Sequence, residues 1–139
     1  MTMHIPRIYY FIDDLNENRI TKLKKNIAII YRNYSQKVDI NKIIKFNKIC
    51  KKNKRLFFLS NNIKLAIKLD LNGAYIPAFN NKINLSHFKK KNFLILGSAH
   101  SIKEIIIKEK QGVDCIFISP LFLTSKSNKF LGITNFKKL

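Results

Sequence analysis

The sequence predicts a parallel α/β sheet, and three observations carry that prediction. Short, continuous apolar runs rich in Ile, Phe and Tyr read as strands buried on both faces. Segments with helical spacing separate most of them, at a period of roughly 20 to 25 residues. Polar side chains collect where the apolar runs stop, and in parallel α/β proteins the loops at the carboxyl ends of strands are where ligands bind.

The elements follow in order. Residues 7–14 (RIYYFIDD) read as a strand with an acidic end and with Tyr10 and Phe11 in the core; 15–25 supply a short helix-like segment. Residues 26–34 (NIAIIYRNY) form a second strand that ends in Arg32. Over 38–52 the apolar residues recur near helical spacing, with Asp39 as a candidate N-cap. Residues 54–61 (KRLFFLSN) are the third strand. The next stretch is ambiguous: positions 63, 65, 67, 69 and 71 alternate like a strand, while Ile63, Ala66 and Ile67 fit a helix. Asn72-Gly73 closes it either way, and 74–78 form a short strand before an Asn-rich connection with a helical turn at 86–91.

The clearest grammar lies between Phe93 and Gly132. A strand runs into Ser98, His100 and Ser101, and Ser101 with Glu104 makes a capping box that starts a helix. Ile102, Ile105 and Ile106 mark its expected buried face, and Gly112 ends it. Residues 113–121 are the sixth strand, with Ser119 and Thr124 beyond its apolar part, and 133–139 begin a further helix. Six such units could form a doubly wound sheet. The absence of a Gly-rich phosphate loop after the first strand argues against the common nucleotide-binding versions.

Bulk composition excludes several classes. Hydrophobic content of 46% with 12% aromatics is globular rather than disordered. No apolar run is long enough to span a bilayer, and the first residues lack a signal-peptide pattern, so a cytoplasmic protein is expected. Cys50 and Cys115 lie in apolar contexts and read as small core residues, not as a disulfide or metal pair. The charge of +19 invites a nucleic-acid partner. Against it, Lys outnumbers Arg 23 to 4, and Lys, Asn and Ile together make 62 of 139 residues, as an AT-rich genome produces. A surface selected for phosphate and base contacts would hold more Arg, so nucleic acid is not the expected partner.

Residues 93–132 resemble the thiamine phosphate synthase/TenI family. The matching pieces are GSAHS at 97–101, the helix bearing Glu104, GVDCIFISPLFLTSKS at 112–127 and LG at 131–132, in the family's order and spacing. Weaker likenesses extend upstream: YYFIDD to the first strand, IIYRNY to the strand carrying Q-x-R-x-K, and LSNNIKLAIKLDLNGAYIPA to the N-D-R segment, which makes 63–71 a helix.

The resemblance implies a TIM-type (β/α)8 barrel, of which this single domain, residues 1–139, holds about six units. It also implies a thiamin-biosynthetic role with pyrimidine and thiazole phosphates as small-molecule partners. In the synthase branch, a hydroxymethylpyrimidine diphosphate loses pyrophosphate with Mg²⁺ assistance, and the thiazole phosphate nitrogen attacks the resulting cation. In the TenI branch a thiazole tautomer is isomerised, and His100 stands where a proton-moving His is expected. Arg32, Ser98, Ser119, Thr124 and Lys126 fall at substrate-binding positions. The alternatives are a surface loop for Thr124 and Lys126, and an ion pair with Asp13 or Asp14 for Arg32.

The departures from the pattern are specific. Only Arg32 survives of Q-x-R-x-K, the metal-binding Asp of N-D-R is Asn61, and the second metal Asp is Asn80 or missing. Neutral amides are poor Mg²⁺ ligands. The expected last two strands are also missing, which suggests a C-terminally truncated piece of a longer product, or a chain that needs a partner or a homo-oligomer to cover its sheet edges. The runner-up function is therefore a catalytically lapsed or TenI-like barrel that binds such phosphates, or a non-catalytic partner protein.

Overall fold

The computed structural model describes residues 4–35, 37–83, 85, 91–118 and 132–134. Strand β1 (Ile8–Ile12) leads through the one-turn helix α1 (Asn18–Thr21) to β2 (Ile27–Tyr31). Helix α2 (Ile40–Lys52), β3 (Phe57–Ser60), α3 (Ile63–Lys68) and β4 (Gly73–Ile76) follow. Then come β5 (Leu94–Ala99), α4 (Ile102–Gln111), β6 (Cys115–Ile118) and β7 (Gly132–Thr134). The strands lie side by side in sequence order; the first six are parallel, and β7 pairs antiparallel with β6. The expected helix over 133–139 is thus corrected: Ile133 and Thr134 extend the sheet, and 135–139 lie outside the described residues. The sixth strand is seen as Cys115–Ile118, and the helical turn expected at 86–91 also falls mostly outside the described residues.

Alternation along each strand sorts side chains into two clusters. One joins Ile29, Phe57, Leu59, Ile76 and Ile95 to helix residues Ile20, Ile43, Phe46, Cys50, Ile63 and Ala66. The other holds Ala28, Ile30, Phe58, Tyr75, Leu94, Leu96 and Cys115, flanked by Tyr9, Phe11 and Phe117, and contains no helix residue. Among the described residues all helices therefore cover one face, which argues against the doubly wound alternative. The bare face is curled. Laid flat, β1 and β6 would be about 24 Å apart, yet the Tyr9 and Phe117 rings meet edge-on at 4.9 Å between centroids. The result is a six-stranded parallel half-barrel with an aromatic interior.

Local signals explain the elements. Asp39, Asn62 and Ser101 each accept a bond from the backbone N–H three residues on, capping α2, α3 and α4. Gly112 closes α4 at φ 79° in the left-handed region, where a residue without Cβ is favoured. The ambiguous stretch is the helix α3 that the family likeness implied, because Asn62 caps its start and Asp70, at φ 57°, turns the chain out of it.

Polar side chains tie down the amino ends of the strands. Arg55, just ahead of β3, is buried and donates to the carbonyls of Ile20, Leu23, Lys24 and Ile27 at 2.7–3.2 Å, which anchors α1 to the start of β2. Asn72, ahead of β4, accepts from the Phe57 N–H, and Asp114, ahead of β6, accepts from the Ile95 N–H. Tyr10 departs from its expected core position: it is 37% exposed on the helix-side face of edge strand β1, where its hydroxyl accepts from Arg19. Phe11 packs in the interior as expected.

Candidate active site at the carboxyl end of the sheet

Because the first six strands are parallel, the residues that follow them gather at one end. Arg32 follows β2, and its guanidinium lies 4.3 Å above the Phe11 ring in a cation–π contact. The Phe11 ring in turn meets the Tyr75 ring edge-on at 5.2 Å, and burial drives the Tyr75 phenol upward while the Ser98 hydroxyl and the Arg32 charge pull it back down. Ser98 is buried near the end of β5 and hydrogen-bonds the Tyr75 hydroxyl. Arg32 and Ser98, 66 positions apart by number, are therefore linked through Phe11 and Tyr75. The ion pair considered for Arg32 is not formed, since Asp13 and Asp14 bind Arg19 at 3.1 and 3.3 Å. A cleft of about 180 Å³ beside Arg32 is lined by Phe11, Ile12, Asp13 and Arg19.

His100 follows β5 and is half-buried. Its backbone N–H donates to Glu104 Oε1 at 2.6 Å, so Glu104 reaches one residue further back than an ordinary capping box requires. The Nδ1 atom of His100 is buried and has no partner among the described residues. An imidazole nitrogen at the strand ends is thus left unsatisfied by the described residues.

Asn61 and Asn80, at the expected metal positions, bind each other: Asn80 Nδ2 donates to Asn61 Oδ1 at 2.8 Å. The main-chain oxygen of Asn80 accepts from Lys108 Nζ and Gln111 Nε2, both at 2.8 Å. Those two side chains are the buried residues of α4, while Ile102 is 76% and Ile106 47% exposed. The expected buried face of this helix was thus wrong by most of its width; only Ile105 packs on the core. Lys108 is wholly buried, and desolvation brings its ammonium down to about 8 against the opposing pull of Glu104. Its stem crosses Gly97, where a Cβ would stand 2.8 Å from Lys108 Cδ.

Sequence reasoning also missed the aromatic pair at the mouth. Tyr34 and Phe79 are exposed, meet edge-on at 5.7 Å, and Tyr34 is anchored by a hydrogen bond to Ser60. Each is one aromatic in a polar stretch, and only the pairing of distant loops reveals them. Ser119, Thr124 and Lys126 lie outside the described residues. A larger cleft of about 420 Å³ sits elsewhere, between the β1–α1 connection and α2, lined by Asp14, Glu17, Lys42 and Lys45.

These observations define a class: a singly wound β/α half-barrel whose polar side chains converge at the carboxyl end of its sheet. The family model described as thiamine monophosphate synthase matches residues 15–139, and the chain belongs to that family. Among curated relatives it is 27% identical over 132 residues to "Putative thiamine-phosphate synthase 2" of Aquifex aeolicus (strain VF5), covering 88% of this chain and 71% of that one. It is 28% identical over 140 residues to the thiamine-phosphate synthase of Prochlorococcus marinus subsp. pastoris, covering 94% of this chain but 40% of the relative. The solved thiamine phosphate pyrophosphorylase from Pyrococcus furiosus shares its fold with a TM-score of 0.54 at 19% identity, over 84% of this chain and 62% of that one. The chain thus spans between two fifths and about seven tenths of these proteins.

The Mg²⁺ that the family likeness implies does not fit the residues present. The positions expected for its carboxylates, Asn61 and either Asn80 or none, offer only neutral amides, whose oxygens already accept hydrogen bonds.

Proposed function

We propose that the chain is part of a cytoplasmic thiamin-forming (β/α)8 barrel that binds pyrimidine and thiazole phosphates at the carboxyl ends of its strands. In the synthase reaction the bond between the pyrimidine methylene carbon and the diphosphate oxygen breaks, and its electron pair leaves on pyrophosphate. The thiazole nitrogen lone pair then forms the new carbon–nitrogen bond. The need is for fixed positive charge and donors around the departing diphosphate. Arg32 would supply charge, Ser98 a hydroxyl held by Tyr75, and Ser119, Thr124 and Lys126 the phosphate-facing loop after β6. The observation that carries this reading is the link from Arg32 through Phe11 and Tyr75 to Ser98 at the strand ends of a chain matched by the family model over residues 15–139.

A second reading is favoured by the free Nδ1 of His100 and by the amides at Asn61 and Asn80. In it the chain handles a thiazole phosphate alone, with His100 taking a proton from one position of the ring system and returning it at another. Incubation with hydroxymethylpyrimidine diphosphate and thiazole phosphate should yield thiamin phosphate and pyrophosphate in equal amounts. Conversion of a thiazole phosphate tautomer without the pyrimidine would favour the second reading. No product from either substrate set, with no saturable binding, would overturn both.

A further inference from the structure

We infer that this chain's site holds its anionic ligand without a divalent cation, the metal position of the family having become an amide pair backed by a buried ammonium. The inference rests on reading Asn61 and Asn80 as that position, and four observations carry it.

The first is the direct bond between the two side chains, 2.8 Å from Asn80 Nδ2 to Asn61 Oδ1. With carboxylates in both places the same approach would set two negative oxygens against each other, a contact that a bound cation stabilises. With amides it is a hydrogen bond complete in itself. The second is that the other oxygens are already engaged. Asn80 Oδ1 accepts from the Lys82 N–H at 3.0 Å, and the Asn80 carbonyl accepts from Lys108 and Gln111. A metal would have to displace these donors.

The third is charge. The Lys108 ammonium, wholly buried, lies 2.8 Å from the Asn80 carbonyl and would repel an incoming cation. The fourth is that carboxylates following the first strand and in α4 have partners of their own. Asp13 and Asp14 bind Arg19, and Glu104 accepts from the His100 N–H. Among the described residues no three His, Cys, Asp or Glu side chains group as a metal site. Asn61 itself sits at φ 60°, a left-handed conformation that Asn tolerates, and its N–H donates to the Tyr75 carbonyl at 2.7 Å. The amide pair is therefore placed by backbone geometry.

The test uses Mn²⁺ alone, followed by loss of its free-ion electron paramagnetic resonance signal, and needs no substrate. Its outcome is thus separate from that of the activity assays. The whole chain should take up no Mn²⁺ in a manner sensitive to Asn61. The N61D/N80D variant, which restores both carboxylates, should bind Mn²⁺ at least about tenfold more tightly. Uptake by the unaltered chain that Asn61→Leu abolishes would overturn the inference. A folded N61D/N80D variant no better than the unaltered chain would also overturn it, since these positions would then not be a former metal site. Should that variant fail to fold, calorimetry of inorganic pyrophosphate with the unaltered chain decides. Equal affinity in EDTA and in excess Mg²⁺ agrees with the inference, and a tenfold gain on adding Mg²⁺ contradicts it.

Discussion

The two ends of this sheet use polar side chains in different ways. At the amino end, Arg55, Asn72 and Asp114 each stand just before a strand and bond to the backbone of a neighbouring segment. At the carboxyl end a set of bonds also runs from side chain to side chain between separate segments: Tyr34 with Ser60, Tyr75 with Ser98, and Asn61 with Asn80. Side-chain pairs can be exchanged for ligand contacts without opening a strand, whereas a side chain holding four carbonyls cannot let go without exposing them. The amino end therefore fixes the fold and leaves the carboxyl end free to carry chemistry, the division expected of β/α barrels.

The largest expected effect comes from breaking the amino end. Arg55→Met keeps the stem but strips the charged donors from Ile20, Leu23, Lys24 and Ile27. It should lower the unfolding free energy in urea by about 3 kcal/mol. A loss below about 1 kcal/mol would mean that water replaces the guanidinium at no cost.

A pH-dependent effect of similar size belongs to Lys108. Its folded value of about 8 lies below its ordinary 10.5. Between those values the folded chain has released the proton and the unfolded chain still holds it, so the fold gains stability as pH rises through this window and loses it as pH falls through 8. The buried thiols Cys50 and Cys115, pushed up by desolvation to about 12 and about 11, work in the opposite direction above pH 9. The contribution of Lys108 should thus be read as the difference between the parent chain and Lys108→Met. That difference should shift in favour of the parent by about 3 kcal/mol between pH 7.5 and 10.5. A flat difference would mean that Lys108 binds its proton equally in the folded and unfolded chain.

Ser101→Ala removes the α4 cap and should cost about 1 kcal/mol. At the carboxyl end, Ser98→Ala should cost about 1 kcal/mol, well below the Arg55→Met effect, because it leaves one phenol to find a new partner. The same change should weaken binding of a thiazole or pyrimidine phosphate several-fold in calorimetry. If it instead destabilised the chain as much as Arg55→Met, the contrast between the ends would fail.

How far this was legible follows the range of each interaction. The parallel sheet was readable because strands buried on both faces leave unbroken apolar runs, such as residues 27–31. The caps at Asp39 and Ser101 were readable because they act over three residues. The face of α4 was not, since Lys108 and Gln111 are held by a carbonyl 28 and 31 positions away. Arg55 looked like one more basic residue in a Lys-rich chain, and only the fold brings four carbonyls to it. The antiparallel β7 was equally hidden, because a three-residue strand is too short to show a period and its pairing with β6 is not a local signal. At the site, Arg32, Ser98 and His100 stood out by position at strand ends. Tyr34, Phe79 and the Asn61–Asn80 bond emerge only when the loops meet.

The central claim is that the ligand sits at the carboxyl end of the half-barrel. Titrating thiazole phosphate into the ¹⁵N-labelled chain, in EDTA, and following the amide resonances tests it most directly. Saturable shifts should appear at Arg32, Ser60, Asn61, Asn80, Ser98 and His100. Saturable shifts confined to the outer cleft at Asp14, Glu17, Lys42 and Lys45, with the strand ends unmoved, would contradict it.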